Sequence, residues 1–269
     1  MCAAIHDISG FGRCSLAVIM PIISAMGIQC VSVPTAILST HTGGFDDLVF
    51  RDTTDFLSPC CEHYKRLGIT FDTIYSGFLG SDAQVDSCLG FFETFPEARR
   101  IVDPVMGDDG ECYKTYTPQL VERMKELVRH ADVITPNMTE AAILLDEPYT
   151  DTVDREKLNE MLTRLCEMSK AAVITGVKLR GEGHANAFMC RGNSVPTIIG
   201  WEPVPASYPG TGDIFASVMT GRLTLGDTMH SAVSAATRFV RSAAAATLNN
   251  GQPTRNGVEF ERVLGELLL

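Results

Sequence analysis

Residues 208–216 read Tyr208-Pro209-Gly210-Thr211-Gly212-Asp213-Ile214-Phe215-Ala216. Two glycines and a threonine stand directly before an amphipathic helical pattern over 213–223, so the free N–H groups of the helix start point into an open loop. Such a loop is an anion hole: the helix dipole favours an arriving negative charge, a phosphate in transit for instance, by roughly 0.3–1 kcal/mol. Asp213 shares that helix start, which stabilises its carboxylate. A carboxylate fixed beside a phosphate hole can accept the proton of an attacking hydroxyl. Taken alone, residues 210–213 read equally well as an ordinary capping turn.

Upstream, the pattern around this segment is layered. Strand-like runs fall at 30–34, 73–77, 100–103, 133–135, 171–176 and 185–189, and several are continuously apolar, as in strands covered on both faces of a parallel sheet. Helical patterns lie between them at 15–26, 118–129, 139–145 and 155–168. A long Ala/Ser/Val pattern over 225–247 and a short last one over 258–269 follow. This alternation predicts a three-layer αβα domain with a mostly parallel central sheet. With no repeat, low-complexity tract or linker, residues 1–269 read as one domain.

Two further segments bear acids at strand ends. In Val102-Asp103-Pro104-Val105-Met106-Gly107-Asp108 the acids follow an apolar strand, at the sheet end where open α/β folds bind ligands. Asp103 and Asp108 suit Mg²⁺, a hard ion that prefers carboxylate and water oxygens. Thr135-Pro136-Asn137-Met138-Thr139-Glu140 ends one strand and opens a helix, and its Asn-x-x-Glu spacing also fits a capping box. Together with 210–213, these segments suggest a metal–nucleotide site. GxxxxGK[ST], HRD and DFG are all missing and the chain has six lysines, so phosphoryl transfer would rest on backbone amides and Mg²⁺.

Composition narrows the classes. Of 269 residues, 45% are hydrophobic and 20% charged, a globular balance. The net charge of −11 argues against duplex nucleic acid as a partner. Nine cysteines without a CxxC or a zinc-like Cys/His spacing argue against a disulfide framework or structural zinc and fit a reducing cytoplasm. The amino terminus lacks the basic and apolar regions of an export signal. The most apolar stretch, 14–28, contains Pro21 and is too short for a membrane span, so no membrane association is expected.

The sequence resembles the pyridoxal kinases of the ribokinase-like superfamily over nearly its whole length. The resemblance is carried by Ile8-Ser9-Gly10-Phe11-Gly12-Arg13-Cys14-Ser15, Leu38-Ser39-Thr40-His41-Thr42, Ser76-Gly77-Phe78-Leu79-Gly80, the Asp103 and Thr135 segments, and Gly210-Thr211-Gly212-Asp213, in the family's order. It implies the ribokinase-like fold without a large lid domain, and ATP-dependent phosphorylation of the 5′-hydroxymethyl group of a B6 vitamer. By motif, Asp213 would be the base and the amides of Gly210, Thr211 and Gly212 would stabilise the transferring phosphoryl group. Asp103, Asp108, Asn137 and Glu140 would organise the ATP phosphates and Mg²⁺, with Asp103, Asp108 and Glu140 holding the metal partly through water. Thr175 and Gly176 resemble the nucleotide-contacting turn. Ser9 would hydrogen-bond the vitamer ring, with His41, Thr42 and Phe78 along the same wall. A homodimer is implied, and a monovalent cation such as K⁺ is a candidate cofactor.

Two positions depart from the family pattern. Phe78 stands where tyrosine is common, and Thr40 where asparagine is frequent before His-Thr. Both lie on the vitamin side, so the vitamer stays open, and related hydroxymethylpyrimidine kinases share the phosphoryl machinery. A non-catalytic vitamer-binding protein is a third reading, but it would have no need of both an anion hole and an acid beside it. Blander readings compete elsewhere: Ser9 as part of a strand-to-helix turn, His41 as a core or solvated histidine, Lys178 and Arg180 as solvated charges, and Cys60 and Cys61 as inert thiols.

Overall fold

A computed structural model of the chain describes residues 1–268. The first half runs β1 (Cys2–Phe11), α1 (Leu16–Ala25), β2 (Cys30–Thr40), β3 (Phe50–Asp52), α2 (Thr54–Arg66), β4 (Thr73–Ser76), α3 (Asp82–Thr94) and β5 (Arg99–Val102). A small hairpin, β6 (Gly107–Asp108) and β7 (Glu111–Cys112), precedes α4 (Pro118–Arg129), β8 (Val133–Ile134), α5 (Met138–Leu144), β9 (Thr152–Val153) and α6 (Arg155–Met168). Then come β10 (Ala171–Leu179), β11 (Gly183–Cys190), β12 (Thr197–Trp201), α7 (Thr211–Thr224) and α8 (Met229–Asn250).

The main sheet has the order β12-β11-β10-β8-β5-β4-β1-β2-β3, with β9 paired to β10. Its centre is parallel; β11, β12 and β3 are antiparallel additions at the two edges. Successive strand residues serve opposite cores, as a period of two requires. Ala3, Ile5, Ile74, Val102, Ile134 and Ile174 pack with α2–α6 on one face. Cys2, Ala4, Tyr75, Ile101, Val133 and Val173 pack with α1, α7 and α8 on the other. That alternation is the three-layer αβα architecture expected from sequence.

Caps fix most of the helix starts. Ser81, Thr117, Asn137, Asp154 and Thr228 each accept a hydrogen bond from an amide three residues on, which satisfies one orphan donor per helix. α7 begins without a side-chain cap, on Gly210.

Several boundaries differ from the sequence reading. β1, which lies between β4 and β2, goes unread there, as do α2, α3 and the edge strands β3 and β12. The long last pattern begins at Met229 rather than 225, because Thr228 caps it. The helix expected over 258–269 is instead two 3₁₀ turns, Phe260–Arg262 and Leu264–Leu267, and Leu269 lies outside the described residues. Among the described residues no helix is long and apolar enough to cross a membrane.

Candidate active site

The chain leaves β1 toward β2 on one side and later returns to place β4 on the other, so the crevice outside the carboxyl ends of β1 and β4 is the switch point where such sheets bind ligands. The start of α7 closes on this crevice. Gly210 is in the left-handed conformation, φ 81°, and a Cβ there would stand 2.0 Å from the Arg13 carbonyl oxygen. Only glycine permits this approach. Among the described residues the amides of Gly210, Thr211, Gly212 and Asp213 find no acceptor, which leaves four donors at the positive end of α7.

The Asp213 carboxylate is largely covered but open on one side, its side chain 13% exposed. Its Oδ2 accepts the Ser15 amide at 2.8 Å. Its Oδ1 lies 3.3 Å from Nε2 of His6, an ion-pair distance in which no hydrogen bond is formed. On the far side of the imidazole, Nδ1 lies 2.8 Å from Oδ1 of Asp7, whose Oδ2 accepts the Ser9 hydroxyl at 3.3 Å. Burial alone would lower the pKa of His6, but its contacts with Asp213 and Asp7 outweigh that and push it up to about 10. For Asp7, burial pulls upward and is outweighed by the hydrogen bond to His6, so its carboxyl sits below the usual range.

The opposite wall carries the other acids. Asp103 follows β5 directly and is buried, its Oδ1 accepting the Thr135 hydroxyl at 2.9 Å. Burial, reinforced by the charge of Asp213, raises Asp103 to about 7. Glu140 is buried in a complete capping box: Oε2 accepts the Asn137 amide at 2.8 Å, and the Asn137 side-chain oxygen accepts the Glu140 amide at 2.9 Å. Its Oε1 takes the Met106 amide at 3.2 Å, and Asn137 Nδ2 donates to the Gly107 carbonyl at 2.8 Å. Burial and the charge of Asp103 raise Glu140 well above the ordinary range. The capping box is therefore real, and the same two residues also tie α5 to the loop after β5.

These acids fit a hard divalent ion. Among the described residues neither Asp103 nor Glu140 forms a salt bridge with a lysine or arginine, and the cation acting on Asp103 is His6 from across the crevice. No three His, Cys, Asp or Glu side chains form a ready metal cage there. A site of this kind suits Mg²⁺, which keeps several waters and is completed by phosphate oxygens. Asp108 is exposed on the β6–β7 hairpin beside this wall: its charge adds to the rise in Glu140, and its Oδ1 accepts the Asp109 amide at 3.0 Å.

Other expected positions fall differently. Thr175 and Gly176 are not a turn at a strand end: β10 continues to Leu179 through an irregular register between Ile174 and Val177. The Gly176 amide is bound by Asn186 Oδ1 at 3.0 Å, while Thr175 pairs with Asn137, which brings this stretch beside the acid wall. Ser9 is buried against Asp7 rather than presented to a ring. His41 is buried as well: Nδ1 accepts the Gly43 amide at 3.1 Å and Nε2 donates to the Arg255 carbonyl at 2.7 Å. Both ring nitrogens are thereby used. Thr42 is exposed on the turn, and the half-buried Phe78 meets Tyr116 edge to face at 6.4 Å. Lys178 pairs with Asp151 on the surface. Two cavities of about 310 and 320 Å³ lie elsewhere, beside β11–β12 and under the C-terminal turns, and neither borders Asp213.

His6, Asp7 and the Ser15 amide are the site members that the sequence reading misses. The available signal was an adjacent His-Asp pair interrupting an otherwise apolar run, directly before the glycine-containing turn at 10–12.

A sequence profile described as phosphomethylpyrimidine kinase matches residues 20–257. The chain belongs to the phosphomethylpyrimidine kinase family. Its fold is similar to that of a candidate phosphomethylpyrimidine kinase from Bacteroides thetaiotaomicron solved with pyridoxal, with a TM-score of 0.93 and 39% identity over 99% of this chain and 94% of that one. It is also similar to the pyridoxal kinase of Lactobacillus plantarum, with a TM-score of 0.92 and 31% identity over 99% and 95% of the two chains. The chloroplastic thiamine biosynthetic bifunctional enzyme of Arabidopsis thaliana is 29% identical over 227 residues, which cover 83% of this chain. The family chain spans only 42% of the length of that relative. The ribokinase-like αβα fold is thus as the resemblance implies, with no large lid among the described residues.

Proposed function

We propose that the chain phosphorylates the 5′-hydroxymethyl group of a vitamin B6 vitamer, pyridoxal, pyridoxamine or pyridoxine, using ATP and Mg²⁺, with residues 1–269 acting as one kinase domain. Family membership supports a phosphotransferase with an alcohol acceptor. The observation that carries the chemistry is the Asp213 carboxylate, held at the uncapped start of α7 beside four free amides.

In this reading the vitamer hydroxyl attacks the γ-phosphorus in line. Its proton passes to Asp213, and the bond to the leaving ADP oxygen breaks. The amides of Gly210, Thr211 and Gly212 meet the charge that develops on the transferring phosphoryl group, as preorganised donors that need no reorganisation. Asp103, Asp108 and Glu140 would hold Mg²⁺, partly through water, with Asn137, Thr175 and Gly176 along the nucleotide. When bound, the ion neutralises phosphate charge. Phe78 and Thr42 would line the vitamer side.

The relative solved with pyridoxal at 39% identity favours B6. The match to a thiamine biosynthetic enzyme favours a second acceptor, hydroxymethylpyrimidine. A coupled assay of ADP release with the three vitamers and hydroxymethylpyrimidine separates the two. A kcat/KM for one vitamer at least roughly tenfold above that for hydroxymethylpyrimidine supports the B6 reading, a discrimination within reach of a few pocket contacts. The reverse order selects the second reading. Binding without turnover of any acceptor would leave a vitamer-binding protein. The homodimer implied by the resemblance is supported by Ile37, Val49, Phe50 and Phe56, all exposed around edge strand β3. Sedimentation of the wild type and Phe50→Lys tests it.

A further inference from the structure

Asp213 does not stand alone behind the reaction centre. Its second oxygen faces an imidazole that the fold holds unusually firmly. The His6 ring is buried and lies against Gly77, where a Cβ would come within 1.9 Å of Cδ2 and 2.1 Å of Nε2. The absent side chain at the end of β4 is therefore the space that the imidazole fills. Asp7 fixes Nδ1 at 2.8 Å, and Ser9 in turn fixes Asp7.

Ionised carboxylates only accept hydrogen bonds. An imidazole hydrogen-bonded to Asp7 and at ion-pair distance from Asp213 meets both carboxylates with opposite charge only as the imidazolium. With Nε2 unprotonated, a buried lone pair would face the Asp213 oxygen at 3.3 Å. The array Asp7–His6–Asp213 is thus a carboxylate, a cation and a carboxylate in a row.

We infer that His6 is a positioning residue for Asp213: clamped by Asp7 and Gly77, its imidazolium holds Oδ1 while the Ser15 amide holds Oδ2. The inference rests on the reading of Asp213 as the proton acceptor. Without His6, Asp213 keeps one restraint, the Ser15 amide, against the like charge of Asp103 across the crevice. The carboxylate would then sample orientations that miss the hydroxyl proton. No group proposed to bind ATP or the acceptor directly is touched.

The test is steady-state kinetics with Mg·ATP and pyridoxal, or hydroxymethylpyrimidine where that is the acceptor turned over. His6→Leu is expected to lower kcat by roughly 30- to 100-fold with both KM values within about twofold, the scale of a misplaced reacting group. His6→Gln, which can still present an N–H to Asp213, is expected to recover roughly tenfold of that loss. A His6→Leu enzyme with near-normal kcat overturns the inference, and so does a loss that His6→Gln leaves unrelieved.

The double variant separates this from the reading beneath it. On an Asp213→Asn background, His6→Leu should cost less than about twofold in kcat, because the two act as one unit. An undiminished cost there overturns the positioning role and leaves Asp213 as the base. Near-normal turnover of Asp213→Asn alone removes the base, and the inference with it. Should His6→Leu fail to fold, Asp7→Asn retains the imidazole but loosens its clamp. That variant should lose at least about tenfold in kcat at unchanged KM, and an unchanged kcat overturns the inference.

Discussion

The Oδ2 atom of Asp213 accepts the backbone amide of Ser15 at 2.8 Å, so the first turn of α7 is tied to the start of α1. Ser15 sits at φ 59° and ψ −144°, a conformation that L-residues rarely adopt. The strained residue aims its N–H at the carboxylate, and the carboxylate offsets part of the strain.

Two substitutions divide these roles. Asparagine can still accept the Ser15 amide but cannot take up the hydroxyl proton. Asp213→Asn should therefore lower kcat by roughly 10²-fold or more, a general-base magnitude, with ATP affinity nearly unchanged. Asp213→Ala should lose the same activity and, in addition, about 1–3 kcal/mol of stability for the orphaned amide. Kinetics and denaturant unfolding of the pair check both, and near-normal turnover in either would refute the assignment.

Gly210 and Gly212 flank the same amides but differ in what they tolerate. A Cβ at Gly210 meets the Arg13 carbonyl oxygen at 2.0 Å in a left-handed backbone, whereas one at Gly212 meets nothing within 4 Å. Gly210→Ala should cost about 2 kcal/mol or more, combining a φ penalty with a backbone clash. Gly212→Ala should change stability by less than about 0.5 kcal/mol. Equal losses in urea unfolding would show that the α7 start is not packed against Arg13 as described.

What the sequence disclosed followed from how local its signals were. The acid segments and the 210–213 turn are short, and each places its residues by a cap or a strand end, so their grouping could be read directly. β1 could not, because its apolar run is brief and is broken by His6 and Asp7, which go unread with it. α2 hides behind Pro59 within the helix. In α3 the core face includes Gln84 and Ser87, which break the apolar pattern. Gln84 is buried because its side chain joins Gly80, Thr35 and Thr54. Thr175 and Gly176 look like a turn because the strand's continuation depends on Asn186, ten residues away, which supplies the acceptor that the bulge lacks.

The raised pKa of Asp103 has a defined consequence for stability. Folding moves it from an ordinary carboxyl value to about 7, mainly by burial, so the folded state holds the proton more tightly than the unfolded chain. The associated stability is complete below the unfolded pKa, near 4, and is lost as pH rises through about 7. Asp103→Asn removes the titration. Relative to wild type, its melting temperature should be little changed at pH 4, then gain several degrees between pH 5 and pH 8 without added metal. A difference that stays flat across this range, measured by calorimetry, would contradict the buried, uncompensated state of the carboxyl.

His41 presents the last case, because the structure gives it a task other than the one its motif suggests. Nδ1 accepts from Gly43 and Nε2 donates to the Arg255 carbonyl, so both ring nitrogens are held. Phe45 packs edge to face on the ring at 4.9 Å, and the Arg255 guanidinium lies 5.5 Å from the Phe45 ring centre. The imidazole therefore staples the turn after β2, which carries Thr42, to the segment before the C-terminal 3₁₀ turns. Removing it frees that turn without touching the α7 amides or the acid wall. His41→Ala should raise KM for the alcohol by roughly tenfold, with kcat and KM for ATP within about twofold, the signature of lost uniform binding on one side of the site. His41→Gln can restore one of the two hydrogen bonds and should fall between. If His41→Ala instead lowers kcat at unchanged KM, the ring would be acting on the chemistry rather than holding the wall in place.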